Sequence, residues 1–148
     1  MTNSDRIWKY WFPVLIMLTI QFSFSTSSFS SDETSRYIVP FLKFISPALS
    51  GERLIFWHHV VRKAAHVTEY CILGILVYRA FQIDVPNPGM VRLLTVLFVA
   101  GAALFDEFHQ SFVAARTSSL FDVGFDCFGG MVALALIWGW SAARTNAE

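Results

Sequence analysis

Apolar residues in this chain are gathered into four long stretches that are separated by polar or turn-forming segments. A helix needs about 20 residues to cross the hydrocarbon core of a bilayer, and each stretch is near that length. Tryptophans lie at the outer ends of the first and last stretches, as aromatic residues do at a membrane interface. The pattern predicts an all-α, polytopic membrane protein, a four-helix transmembrane bundle with helices at about residues 8–24, 60–81, 90–112 and 120–140.

The composition agrees with this prediction. Of the 148 residues, 55% are hydrophobic and 15% are charged, whereas about 25% of an ordinary soluble domain is charged. The apolar content excludes a disordered chain, and the balance of 11 basic and 11 acidic residues excludes a nucleic-acid-binding protein. We expect one domain over residues 1–148. A soluble bundle is a weaker alternative, because so short a chain has little polar surface to cover four apolar helices.

Two segments of the first fifty residues allow a more detailed interpretation. Arg6 and Lys9 precede the first apolar stretch, as they would in a signal peptide, but its tryptophans and proline are unusual for a signal sequence. Between the first two helices, apolar residues recur at helical spacing, which predicts a short helix lying in the interface. Its apolar positions are Ile38, Phe41, Leu42, Ile45 and Leu49, and Pro40 and Pro47 limit its length.

Costly polar residues fall at one end of the predicted bundle. In an up-and-down arrangement, the start of helix two, the end of helix three and the start of helix four share one membrane face. Ionisable groups inside membrane spans face the bundle interior and mark functional sites by default. We therefore predict a polar, ligand-binding pocket formed by Arg62, Lys63, His66, Glu69, Tyr70, Asp106, Glu107, His109, Gln110, Arg116, Asp122 and Asp126.

The chemistry of this pocket has several interpretations. Asp106 and Glu107 with His109 would suit a divalent metal, but no HExxH or Cys/His motif is present. We therefore predict neither a metal nor a cofactor. Asp122 and Asp126 are expected to pair with Arg116, because buried charges must be compensated. No spacing identifies a nucleophile, so no catalytic residue is assigned.

Several segments resemble the VanZ-like membrane proteins. They are Val61–Gly74 (VRKAAHVTEYCILG), Phe105–Val113 (FDEFHQSFV), Arg116–Asp122 (RTSSLFD) and Asp126–Gly130 (DCFGG), and together with a serine-rich first loop they cover nearly the whole chain. One departure is Ala114-Ala115, where the family usually has Pro-Gly. The family is named for low-level resistance to teicoplanin, so the resemblance implies a role in the cell envelope and in antibiotic resistance without supplying a mechanism. The resemblance carries over onto Lys63, His66, Tyr70, Asp106, Glu107, Gln110, Arg116, Asp122 and Asp126.

The predicted function is binding of an amphipathic envelope ligand, either a glycopeptide or lipoglycopeptide or a lipid phosphate. Basic groups such as Arg62 and Lys63 would hold its anionic part, and helix grooves its apolar part. The alternative is a membrane enzyme that acts on a lipid phosphate or diphosphate through His and Asp groups, with or without a divalent metal. The expected partner is a membrane lipid or amphipathic ligand and not a nucleic acid. The sequence does not define the oligomeric state, and it leaves open whether a reaction is catalysed.

Basic residues give the expected orientation in the cell membrane. An even number of spans puts both termini on one side. Without the pocket residues Arg62, Lys63 and Arg116, five basic residues lie on the side of the termini and three on the other side. The positive-inside rule then predicts cytoplasmic termini and an extracytoplasmic site.

Overall fold

The computed structural model describes residues 3–113 and 119–145, and these ranges are helical without strands. This confirms the predicted all-α class. The elements are α1 (Asn3–Phe24), a 3-10 turn (Ser27–Phe29), α2 (Ser31–Ile45), α3 (Gly51–Asp84), α4 (Pro88–Gln110) and α5 (Leu120–Thr145).

Three of these helices are long and apolar enough to cross a membrane. The spans are Asp5–Phe24, Pro88–Gln110 and Leu120–Arg144, and they correspond to three of the four predicted helices. Large apolar side chains cover their outer surfaces; Leu15 is 59% exposed and Met131 63% exposed. Such surfaces are expected against lipid and would be costly in water. The chain is therefore a membrane protein by its helices.

The second predicted helix, within α3, does not qualify as an apolar span, because the ionisable residues His66, Glu69 and Arg79 interrupt its apolar run. With 34 residues, α3 is about 50 Å long, well beyond the predicted 60–81. It is nevertheless the central helix and contacts each of the other four. Its residues Leu73 and Val77 are completely buried, so burial in the bundle explains part of its apolar pattern.

Glycines allow the close approach of α5 to its neighbours. A Cβ atom at Gly129 would lie 2.4 Å from the Val67 backbone oxygen of α3, and one at Gly130 would lie 2.8 Å from Val99 of α4. Small residues are enriched where membrane helices pack closely. Asp126, which lies one turn before Gly129, is thereby held against α3.

The segment between α1 and α3 forms a longer helix than the apolar spacing predicts. The Ser30 side chain accepts a hydrogen bond from the Glu33 backbone N–H (3.4 Å), so α2 begins with a capping interaction inside the serine-rich segment. Pro40 lies within α2 rather than ending it, and the helix stops at Ile45, before Pro47. The apolar Phe44 is 85% exposed, so α2 has an outward apolar side in addition to the face that covers α3.

Candidate functional site

Three helices carry the predicted pocket residues. The middle of α3 contributes one set, the last turn of α4 a second, and the first two turns of α5 a third. Because α3, α4 and α5 alternate in direction and contact one another, these segments meet at one end of the bundle.

A histidine and two aspartates form the centre of the site. His66 of α3, Asp106 of α4 and Asp126 of α5 each place one nitrogen or oxygen atom within 4.8 Å of the others. We call these three residues the buried triad. His66 Nδ1 lies 3.5 Å from Asp126 Oδ1. One residue comes from each of three helices, so the triad depends on the tertiary fold and not on any local motif.

Asp126 is the most enclosed member of the buried triad. Its side chain is 2% exposed, and neither carboxylate oxygen has a hydrogen-bond partner within the described ranges. The contact with His66 is long for a hydrogen bond. Burying an ionised carboxylate is costly unless it is paired, and the basic group that faces Asp126 is the His66 imidazole.

Hydrogen bonds fix the end of α4 around the triad. Gln110 Nε2 donates to Asp106 Oδ2 (2.7 Å), which orients that carboxylate along the helix. Glu107 Oε2 accepts a hydrogen bond from the Ser119 backbone N–H (2.7 Å), so α4 is tied to the residue preceding α5. Tyr70 of α3 is buried and lines the same cavity as Asp106.

The rim of the site, formed by Lys63 and Asp122, is partly exposed to solvent. Lys63 forms an ion pair with Asp122, and the two side chains are 34% and 30% exposed. The ammonium also lies 5.3 Å from the centre of the Phe125 ring, an attractive cation–π position. Arg62 points away from this rim. It donates to Thr34 Oγ1 of α2 (2.7 Å) and to the Phe29 carbonyl of the 3-10 turn (3.4 Å).

One predicted residue, His109, is not part of this arrangement. His109 faces α1, with its Nδ1 3.3 Å from Ser25 Oγ and its ring 4.2 Å from the ring of Phe22. The metal interpretation that combined His109 with Asp106 and Glu107 therefore finds its imidazole elsewhere, at His66. Arg116, with its expected pairing to Asp122 and Asp126, lies outside the described residues.

Two cavities flank the buried triad. The first, of about 180 Å³, lies between α3 and the segment formed by the 3-10 turn and α2. Its lining is Phe24, Phe29, Thr34, Ile38, Val61, Arg62, Ala65, His66 and Glu69. The second, of about 330 Å³, lies between α1 and α4 and includes Tyr70 and Asp106. We call these the α2–α3 cavity and the α1–α4 cavity.

Sequence reasoning missed three polar or aromatic groups at these cavities, namely Gln21, Phe29 and Thr34. Gln21 lines the α1–α4 cavity, is 7% exposed, and its amide forms no hydrogen bond within the described part of the chain. A glutamine within an apolar span is a signal in itself. Phe29 and Thr34 belong to the loop and α2, and only the tertiary fold brings them to the α2–α3 cavity.

Fold and site together define an all-helical membrane protein in which three helices bring ionisable groups into one partly enclosed polar cluster. The sequence model of the VanZ/LLP1 family matches residues 10–141 of the chain, which therefore belongs to this family. This confirms the resemblance drawn from the motifs of α3, α4 and α5. Neither a comparison with curated proteins nor one with solved structures gave a match.

Proposed function

We propose that this protein binds the anionic headgroup of an amphipathic envelope ligand, a lipid phosphate or a lipoglycopeptide, at the α2–α3 cavity. The cavity combines the apolar surfaces of Phe24, Phe29 and Ile38 with the guanidinium of Arg62 and the imidazole of His66. Hydrogen bonds to Thr34 and to the Phe29 carbonyl hold the guanidinium at the wall. An apolar wall with a few fixed polar groups is typical of ligand sites.

The placement of the ligand follows from these groups. Arginine recognises phosphate through two parallel hydrogen bonds, so the phosphate would lie beside Arg62 and His66, with the hydrocarbon part along Phe24, Phe29 and Ile38. Glu69 lines the same cavity, and its negative charge would oppose an anionic headgroup. Charge changes at these positions should therefore act in opposite directions.

Calorimetric titration of the purified full chain in detergent tests this proposal, with dioctanoyl phosphatidic acid and teicoplanin as separate ligands and dioctanoylglycerol as the uncharged control. Arg62→Gln should weaken phosphatidic acid binding about tenfold, the effect of losing one charge-assisted hydrogen bond, whereas Glu69→Gln should strengthen it. Arg53→Gln, an exposed change on the same helix, is the matched control. Equal binding of phosphatidic acid and dioctanoylglycerol would contradict the proposal.

A second function, hydrolysis of a lipid phosphate or diphosphate, is favoured by one observation. His66 lines the α2–α3 cavity while its Nδ1 faces Asp126, so an imidazole with a carboxylate partner adjoins the proposed phosphate position. Such a pair can transfer a proton to or from a reacting group. Phosphate release from phosphatidic acid that Asp126→Asn abolishes would favour this function, and binding without release would favour the first.

For the membrane arrangement, we propose that α3 is the fourth span, that α2 lies at the interface, and that the site is extracytoplasmic with both termini in the cytoplasm. The exposed apolar residues Tyr37 and Phe44 of α2 support an interfacial position. Labelling with a membrane-impermeant maleimide tests the topology in a background where Cys71 and Cys127 are replaced by alanine. Ser28→Cys should react in intact cells and Pro86→Cys only after permeabilisation; the reverse would overturn the orientation. Pro86 is used because the neighbouring Asn87 caps α4.

A further inference from the structure

We infer that His66, Asp106 and Asp126 form a binding site for one divalent transition-metal cation. The three residues contribute one nitrogen and two oxygen ligands from three helices, all within 4.8 Å of one another. Ligand atoms around an ion at about 2.0–2.2 Å are separated by about 3–4 Å, so small side-chain rotations would close the triad around a cation. The 3.5 Å separation of His66 Nδ1 and Asp126 Oδ1 is already in that range.

The state of Asp126 is a second and independent indication of a ligand. Its carboxylate is 2% exposed, it is one of the three converging groups, and both of its oxygens lack a hydrogen bond within the described ranges. Nearly all buried polar atoms are satisfied in folded proteins. A cation at the centre of the triad would satisfy Asp126 directly.

The surroundings of Asp106 fit the same interpretation. Gln110 Nε2 donates to its Oδ2 (2.7 Å), which leaves Oδ1 for the ion and fixes the orientation of the carboxylate. Hydrogen bonds of this kind to ligating groups are a regular feature of metal sites. The metal set first suggested by spacing used His109 of α4, whereas the imidazole beside Asp106 and Asp126 is that of His66 of α3.

The ligand set indicates the class of ion. Two carboxylates balance the charge of a dication, as the buried position requires. An imidazole with two carboxylates suits Zn²⁺ or Mn²⁺ better than Mg²⁺ or Ca²⁺, which prefer oxygen ligands. Three protein ligands leave further coordination positions, as in catalytic rather than structural sites. His66 also lines the α2–α3 cavity and Asp106 the α1–α4 cavity, so a ligand in either cavity is adjacent to the ion.

Metal content is the direct test, and it does not depend on the proposed lipid binding, which is measured separately in the presence of chelator. The full chain is purified without a polyhistidine tag, stripped with chelator, reloaded with Zn²⁺ or Mn²⁺ alone, and analysed by mass spectrometry. We expect about one ion per wild-type chain, because the described residues offer one such ligand set. Asp126→Asn should remove it, whereas Asp122→Asn, the same change one turn away, should retain it.

Two further measurements test the metal site if the Asp126→Asn variant fails to accumulate. The added ion should raise the melting temperature of the wild-type chain, and chelator should reverse the rise. Gln110→Ala should weaken metal affinity about 10–100-fold, the usual effect of losing a hydrogen bond to a ligating group. Wild-type chain that takes up neither ion, or Asp126→Asn and Asp122→Asn chains with equal metal content, would overturn the site.

Discussion

Asp122 and Asp126 lie one turn apart on α5 but differ in almost every physical respect. Asp122 is 30% exposed and paired with Lys63, whereas Asp126 is 2% exposed and without a hydrogen bond in the described part of the chain. A partly solvated ion pair contributes about 0–1 kcal/mol. Removing the partner of a buried charge costs about 3–5 kcal/mol. Charge at the rim is therefore tolerated, whereas charge at the buried triad requires compensation.

The largest effect is expected from removing the basic partner of Asp126. His66→Leu should lower the free energy of unfolding by about 3–5 kcal/mol, because it leaves a buried carboxylate uncompensated. Denaturant unfolding in mixed micelles measures this, and His59→Leu on an exposed position of the same helix is the control. Equal stabilities of the two variants would mean that His66 does not compensate the buried Asp126 carboxylate.

A large effect is also expected from separating the helices that hold the triad. Gly129→Ala places a Cβ atom 2.4 Å from the Val67 backbone oxygen, so α5 must move away from α3. Overpacking of this kind costs about 1–3 kcal/mol. Gly124→Ala adds a Cβ with nothing within 4 Å, so it is the matched control in the same helix. If both variants unfold at the same denaturant concentration, α5 does not approach α3 closely at Gly129.

An intermediate effect is expected at the hydrogen bond that orients Asp106. Gln110→Ala removes the 2.7 Å contact and leaves a buried acceptor without its partner, which costs about 1–3 kcal/mol. Gln110→Glu keeps the size but places a third negative charge beside the triad, so it should be more harmful than alanine. Unfolding curves give the stability of both variants. A Gln110→Glu variant as stable as wild type would mean that residue 110 does not have acidic surroundings.

The smallest effect is expected at the rim. Asp122→Asn and Lys63→Gln should each change stability by about 1 kcal/mol or less, because both groups remain partly solvated. The effects should shrink further in high salt, which screens exposed charges. A loss above about 3 kcal/mol for either variant would show that the rim behaves like the buried triad.

The polar residues of the sequence predicted that α3, α4 and α5 contribute to one site, but they did not predict which side chains meet. Alternation of helix direction was enough to bring α3, α4 and α5 together at one end, and α4 (Pro88–Gln110) begins and ends close to the predicted 90–112. The length of α3 was underestimated, because the apolar run marks where a helix is buried or lipid-facing and not where hydrogen bonding begins. Capping by Ser30 likewise extended α2 into a segment expected to be a loop.

The choice of partners could not be predicted from spacing. Asp106 and His109 are three residues apart, about 60° apart around a helix axis. This spacing is compatible with both side chains facing one neighbouring helix or with each facing a different one. The rotation of α4 directs Asp106 towards His66 and Asp126, and His109 towards Phe22 of α1 and Ser25, the residue that follows α1. Only the tertiary packing around α4 distinguishes the two.

The convergence of α3 and α5 at the triad is the central claim, and a double-mutant cycle on His66 and Asp126 tests it most directly. Free energies of unfolding are measured for wild type, His66→Leu, Asp126→Asn and the double variant. Contacting residues of one network have coupling energies of about 0.5–3 kcal/mol, and we predict a value of about 2 kcal/mol or more. A coupling energy near zero would contradict the account, because it would mean that the two side chains do not meet.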